Sequence, residues 1–507
     1  MRAIVSMMLA SAVLLAAAPA LADDPARPTV PASPTEWSLA AKRDITAAYT
    51  AMFDNHPGVY DPSNPGFVKQ LQRARAAGLA LADRVQDAPG YRAAFERFGA
   101  VMGDGHATAF AVLPDDLLPK QKWPGFVAVW RGDGLYVYAS QVEGVAKGAR
   151  VVSCDGVAIK TLIRRNVFDW YGREEIDGLW WERARRVFID TGNPFIAVPK
   201  VCRFDDQGRR TTTPLTWREG DDAFAKWRVE SYNGDKLPIG RSEPRPGLVW
   251  IAMPTFQPDT AGVEAYAALT TSLAQSRAQL NAARAIVLDL RQNQGGSSSW
   301  SQGLAGALWG DGRVERRLGA LFARVEIWYR ANDVTAKHVD SLVAQMRREG
   351  FPDDARSFEA TAASIRAAIE AGQPLALEPA AAAPAAADPR ADRASDPAPL
   401  TAPVYVIVPG QCASACNDAI DTFTQFEGVK LVGAPSSNDS YYMEVRVEDV
   451  PSGLARVVLP TKIWMHRPRG PKDFFRPDIP NRSLDWSTAS FADLIEADLN
   501  AKAQRAR

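Results

Sequence analysis

Apolar residues change their period along this chain, and the changes divide it into blocks. Between residues 37 and 102 the spacing is helical: Ala40, Ile45, Ala48 and Met52 share one face, and Phe67, Leu71, Ala74 and Leu79 share another. His56-Pro-Gly-Val-Tyr60 separates these two helices as a turn, and a third helix is expected over Tyr91–Met102. From 124 to 218 the pattern shortens to β-prone runs, Phe126–Trp130, Leu135–Tyr138 and Arg150–Cys154, parted by Gly and Asp. Beyond them Gly247–Met253 reads as a strand, Ala261–Ala282 as a helix and Ala285–Leu290 as a buried strand broken only by Asp289. That order predicts a parallel sheet covered by helices. Residues 311–375 are charged and helical, as in Val334–Arg347 and Phe358–Ile369. Near the end, Tyr405–Val408 is a short buried strand stopped by Pro409 and Gly410. Ala415, Ala419, Phe423 and Phe426 then share a helix face, Val429–Val432 is a strand, and a β-rich tail runs through Trp464 to Pro480.

Composition narrows the classes. Met1-Arg2, a small and apolar stretch to Ala20, and the exit Ala20-Leu-Ala22 before Asp23-Asp24 describe a cleaved secretory signal over 1–22. The mature chain is therefore expected in the periplasm or outside the cell, with no membrane span after cleavage. Residues 23–35 are a Pro/Ala lead-in, and 376–402, almost all Ala, Pro and Asp, read as a flexible tether. The 59 basic and 59 acidic residues balance, so bulk charge gives no case for nucleic acid as partner. Four cysteines in an exported chain permit disulfides; pairing 412 with 416 and 154 with 202 is attractive, with buried thiols the alternative.

Candidate chemistry gathers at three turns. Ser414 lies between a strand end and a helix start, where its hydroxyl and the Ala415 N–H face the same space near the positive helix end. Most serines at such a place simply cap the helix. In Gly103-Asp-Gly-His106, two glycines force a tight turn that delivers an imidazole; a lone histidine is more often structural. Arg291-Gln-Asn-Gln-Gly-Gly296 is a glycine turn that lacks the lysine and spacing of a phosphate loop, so a second oxyanion donor is its better use. His56, His106, His338 and His466 are too scattered for a metal site, and no nucleotide or flavin fingerprint occurs; no cofactor is expected.

In order, these blocks resemble the C-terminal-processing (tail-specific) serine peptidases, whose relatives include the tricorn core protease and interphotoreceptor retinoid-binding protein. The carriers are His56-Pro-Gly-Val-Tyr60, Asp104-Gly-His106, Asp289-Leu-Arg-Gln-Asn-Gln-Gly-Gly296, the Ser414-Ala415 elbow and Pro477-Asp-Ile479. Gly144–Leu162, with its Asp155-Gly156 hairpin, is similar to the middle of a PDZ domain, to which a peptide terminus adds as a strand. The resemblance implies an α/β fold: a crotonase/Clp-protease-like core (245–310 and 403–495), an N-terminal helical domain (36–115), a PDZ-like β module (120–220) and a helical insertion with tether (311–402). It implies a peptide or protein substrate, Ser414 as nucleophile, and oxyanion donors at Ala415, Gly295 and Gly296. One branch of the family uses a lysine some two dozen residues after the serine. Here position 439 is Asp and Lys430 sits on a strand entry, so His106 of the histidine branch is the expected base. The orienting acid is left between Asp473, Asp104 and others. Two other readings compete. An α/β-hydrolase esterase would pair Ser414 with His466, although Cys412 and Cys416 stand where its flanking glycines belong. A non-catalytic protein binding a hydrophobic ligand or peptide would use the same scaffold without an activated serine.

Overall fold

The computed structural model describes residues 30–379 and 396–505. The signal segment, most of the lead-in and the centre of the Ala/Pro tether lie outside the described residues.

A six-stranded sheet carries the core. Its order is Gly240–Arg245, Leu248–Ala252, Ala285–Asp289, Val404–Val408, Val429–Gly433 and Ile479–Pro480. The first pair is an antiparallel hairpin, and every later pairing is parallel. The strands look uniformly apolar because both faces are covered. Val249, Ile251, Ile286, Leu288, Val404 and Val406 pack under the helices Thr260–Gln275, Ser299–Trp309 and Ala415–Phe423. The alternate residues Trp250, Val287, Tyr405 and Ile407 face the β module and the C-terminal helix Thr488–Arg505. Parallel pairing brings the C-terminal ends of Ala285–Asp289 and Val404–Val408 side by side, and from those ends spring the glycine turn and the serine elbow.

Three helices, Pro34–Asn55, Phe67–Ala82 and Ala88–Met102, form the N-terminal layer, as the periodicity predicts. They pack on a second sheet made of Thr108–Ala111, Tyr442–Asp449, Ala455–Met465, Glu326–Arg330 and Leu375–Leu377. The 311–402 segment is therefore more than an appended insertion. Its helices Asp333–Arg348 and Pro352–Glu370 are anchored through two strands that it lends to this sheet. Among the described residues, no helix is long and apolar enough to cross a membrane.

The β module is an antiparallel sheet of Phe126–Trp130, Leu135–Ser140, Arg150–Cys154, Val201–Asp206 and Arg209–Pro214. Asp155 and Gly156 both take positive φ, the turn that an Asp-Gly hairpin requires. Residues 159–188, expected to be strand-rich, instead hold two helical stretches, 159–171 with a π-helical centre and 177–188 ending in a tighter turn, which carry Phe168, Trp180 and Phe188. The buried Ile159, Leu162, Ile163, Val167 and Trp170 keep a helical spacing, but the β-branched and aromatic content of the region outweighs it in the sequence pattern. The two stretches also cover one of the two edges of this sheet, the other being Arg209–Pro214. The edge strand Phe126–Trp130 is buried along its whole length, with Phe126 against Phe188 and Trp130 against Trp180. A peptide cannot add at an edge already covered by the chain itself.

His56 shows why a histidine in a conspicuous turn is not always chemical. Its ring is fully buried, stacked 4.3 Å from Phe67, and Nδ1 accepts the Gly58 N–H at 2.9 Å. Burial lowers its pKa to about 3. Between that value and the ordinary 6.5, the unfolded chain binds a proton that the folded chain refuses, so stability rises with pH across this window. The melting temperature of the mature protein should accordingly fall as pH is lowered from 6.5 toward 4, and less so in His56→Gln. Parallel pH profiles for the two proteins would count against this assignment.

Candidate active site

Ser414 begins the helix Ala415–Phe423 with φ 54° and ψ −132°, a left-handed backbone that costs a non-glycine residue about 1–3 kcal/mol. Capping does not explain it, because the hydroxyl makes no cap hydrogen bond. The side chain is half-buried, and the neighbouring Ala415 is buried. Cys412 and Cys416 close a disulfide around the serine, and Cys154–Cys202 joins adjacent strands of the β module. Both pairs follow the attractive pairing rather than the free-thiol alternative.

The glycine turn meets the elbow directly. Gly295 has φ 113°, and a Cβ there would stand 3.0 Å from Ser414 Cβ and 2.9 Å from the Ala413 carbonyl, so only glycine permits this approach. The rest of the Asp289–Gly296 block holds the turn in place. The Asp289 carboxylate, buried, accepts from Arg291 Nε and Nη2 and from Trp250 Nε1. Arg291 in turn donates to the Trp486 carbonyl and to Thr488 Oγ1. Gln411 Nε2 donates to the Arg291 carbonyl at 2.8 Å, tying the turn to the elbow. Asn293 donates to the Met253 carbonyl, and its Oδ1 accepts the Gly295 N–H at 2.8 Å. The expectation that Gly295 supplies an oxyanion donor is corrected here: its N–H is already spent. Gly296 differs. Phe256 N–H donates to Gly295 O and Ser297 N–H donates to Phe256 O, a parallel bridge that leaves the Gly296 N–H pointing away from Phe256.

His106 is half-buried at the end of its turn. Nδ1 lies 2.9 Å from the Tyr442 carbonyl. A carbonyl only accepts, so Nδ1 bears the proton and Nε2 keeps its lone pair. Asp104 folds the turn, accepting the N–H groups of His106 and Ala107 on Oδ1 and the Ser440 hydroxyl on Oδ2. Asp473, one of the orienting acids that the sequence leaves open, accepts the Gly470 N–H inside its own turn. The carboxylate beside the ring is Asp439, with Oδ1 at 3.8 Å from His106 Nδ1. Sequence reading noted position 439 only as a missing lysine.

Asp439 belongs to a buried charge cluster that reaches the serine helix. Arg467 donates to Asp439 Oδ2 at 2.8 Å and also to Asp418. Asp418 lies one helical turn beyond Ser414 and accepts the Ser298 hydroxyl at 2.7 Å. Arg469 joins Asp418 to Asp421. Burial pulls the Asp439 carboxyl up, but Arg467, with His106 and Arg469, outweighs it and holds it below the usual carboxylate range. Burial wins at Asp418, whose pKa is raised against the pull of Arg467 and Arg469. Ser414 and His106 are thus linked through Asp418, Arg467 and Asp439. Among the described residues, no hydrogen bond joins them directly. His466 is exposed on a positive-φ turn, an unsuitable place for a catalytic base that must be held against the serine.

A family model described as "Peptidase family S41" matches residues 248–455, which contain the glycine turn, the elbow and Asp439. These residues are similar to peptidase family S41. With that match the protein is a serine-type peptidase, and the family implies peptide or protein substrates. Among solved structures, mature CPAF complexed with lactacystin superposes with TM-score 0.58 at 12% identity, over 91% of this chain and 99% of that one. Mature CPAF gives TM-score 0.57 at 12% identity, over 91% and 98%. At such identity these likenesses establish the fold. No curated protein sequence matches this chain significantly.

Two predictions follow from the geometry around the elbow. Because the folded pKa of Asp439 is depressed, its stabilisation is fully present above the ordinary carboxylate value of about 3.9 and is lost as pH falls through the lower folded value. Thermal melts of wild type and Asp439→Asn should therefore differ at neutral pH and converge below about pH 4; a constant difference would contradict the sign. Secondly, Cys412→Ser/Cys416→Ser frees the elbow while leaving the sheet intact. Its rate of labelling by a fluorophosphonate should drop by about 10- to 100-fold, the scale of an ångström-sized misplacement. Wild-type labelling in that variant would show that the disulfide does not position the serine.

Proposed function

We propose that this protein is an exported serine peptidase that hydrolyses peptide bonds through an acyl-enzyme on Ser414, with His106 as general base. The single observation that carries the nucleophile is the left-handed Ser414, whose hydroxyl is not spent on capping and which stands against Gly295. Ser414 Oγ forms a bond to the scissile carbonyl carbon while its proton passes to His106 Nε2. The carbonyl oxygen becomes an oxyanion received by the N–H groups of Ala415 and Gly296, each worth roughly 3 kcal/mol of barrier. Collapse breaks the C–N bond, His106 returns the proton to the leaving amine, and water then hydrolyses the ester by the same route. Asp439 stabilises the imidazolium that forms between these steps, and the Tyr442 carbonyl keeps its Nδ1 proton in place. Proton transfer requires the histidine turn and the elbow to come within hydrogen-bond reach once substrate is bound.

Export is supported by the basic, then apolar, then small-x-small start of the chain and by the two disulfides. The periplasm or the extracellular space is the compartment that suits both.

Fluorophosphonate labelling of the mature protein tests the reading. Ser414→Ala should abolish labelling, and His106→Ala should lower turnover by about 10²- to 10⁴-fold, with far-UV circular dichroism unchanged in both. Wild-type turnover in His106→Ala would remove the histidine from the mechanism.

A further inference from the structure

Behind the glycine turn lies a cavity of about 490 Å³ that the peptidase chemistry does not use. One wall is Gln292 and Gln294, the residues either side of Asn293, whose Oδ1 holds the Gly295 N–H. The same short loop therefore presents Gly295 to Ser414 and two amide side chains to the cavity. The opposite walls come from the helical turns of the β module and from the helix Asp222–Asn233 with the residues after it.

The charge of the lining is one-sided. Arg185, Arg186, Arg228 and Lys236 line it, against the single carboxylate of Asp190. Asp190 is turned to its own loop, accepting the Gly192 N–H at 2.8 Å. Among the described residues, none of the four cations stands within ion-pair distance of a carboxylate. The three arginines are held by other means. Arg185 lies 4.2 Å over the Tyr232 ring and donates to the Arg228 carbonyl, Arg186 lies 4.5 Å over Tyr171, and Arg228 donates to Gln121. Burial lowers the Arg185 pKa to about 10, with Tyr232 and Glu182 opposing and the Arg186 and Arg228 cations adding to the fall. Arginines fixed in position by aromatic rings and polar side-chain or backbone oxygens, with Glu96 and Glu182 acting on Arg186 and Arg185 only from beyond ion-pair distance, form a preorganised anion site. Aliphatic side chains such as Val187, Ile189 and Val229 share the lining, which suits a polypeptide better than a small free anion.

We propose that this cavity is a specificity subsite for acidic side chains of the polypeptide substrate, an Asp/Glu run on one side of the scissile bond lying among Arg186, Arg228 and Lys236 while the substrate backbone crosses the Gln294 loop. The inference rests on the reading of Ser414 as nucleophile only in taking the bound chain to be a substrate. Its recognition chemistry is independent of turnover, so the two fail separately.

The test is fluorescence anisotropy of the mature Ser414→Ala protein with a labelled peptide carrying an Asp/Glu run and with its Asn/Gln counterpart. Each peptide is made with a free and an amidated C-terminus. The acidic peptide should bind about 10-fold tighter, the sum of two or three exposed ion pairs, and the ratio should shrink as salt is added. In Arg186→Gln/Lys236→Gln, two exposed positions whose change leaves the core packing alone, the ratio should fall toward one with circular dichroism unchanged. Arg228→Gln is the second, independent variant. Equal binding of acidic and neutral peptides, or a preference that survives in both variants, overturns the proposal. A preference lost on amidation assigns the site to a chain terminus and overturns it as well. Selective binding, together with turnover that survives Ser414→Ala in the unlabelled assay, would uphold the subsite and sink the catalytic reading instead.

Discussion

The contact between Gly295 and Ser414 is the constraint on which the rest of this molecule depends. Two adjacent parallel strands end at the same level, and the loops leaving them must meet with no side chain between them. The serine accepts a left-handed backbone to do so, at a cost that surrounding structure must offset. The offset is visible from both sides. On the glycine side, Asp289, Arg291 and Asn293 fix the turn through buried hydrogen bonds; on the serine side, a disulfide and the Gln411 amide fix the elbow. Neither loop is free to relax without undoing contacts that reach the sheet and the C-terminal helix.

The buried charges extend this logic to the histidine. Isolated charges would cost several kcal/mol each in such a place, yet Asp418, Asp439, Arg467 and Arg469 neutralise one another across three chain segments. Removing one member leaves its partner buried and uncompensated, so the cluster is cooperative and stiff. It serves as a strut: the His106 turn packs on the Asp439–Tyr442 segment, and that segment is tied through Arg467 to the serine helix. The serine-to-histidine gap is thereby set by a rigid bridge between their elements rather than by a bond between their side chains.

Much of this was legible in the sequence, for reasons that differ by residue. The core strands announce themselves because sheets covered on both faces need continuous apolar runs, and Ser414 and Gly295 stand where such runs stop. The order of Asp289, Arg291, Asn293 and the two glycines is equally readable, since one short loop needs all of them. Asp439 carries no local signal, because its role is defined by Arg467 and His106, both far away in sequence. For Gly295, spacing shows that an N–H exists at the turn, but not that a neighbour such as Asn293 already takes it. The helical turns of 159–188 are masked by their β-branched and aromatic content, which reads as strand.

Those turns also explain how a module similar to a peptide-binding domain relates to the site. Gly178 approaches so closely that a Cβ would lie 2.2 Å from the Ser436 carbonyl, only three residues before Asp439. The segment that covers the module's edge strand is therefore the same one that leans on the loop carrying the histidine's acid. A peptide displacing it from the edge would have to pull Trp180 and Phe188 out of the core and release that loop together. The energetic cost of exposing two large aromatics, at roughly 1.5–3 kcal/mol each, makes this edge a structural wall of the site rather than an open docking groove.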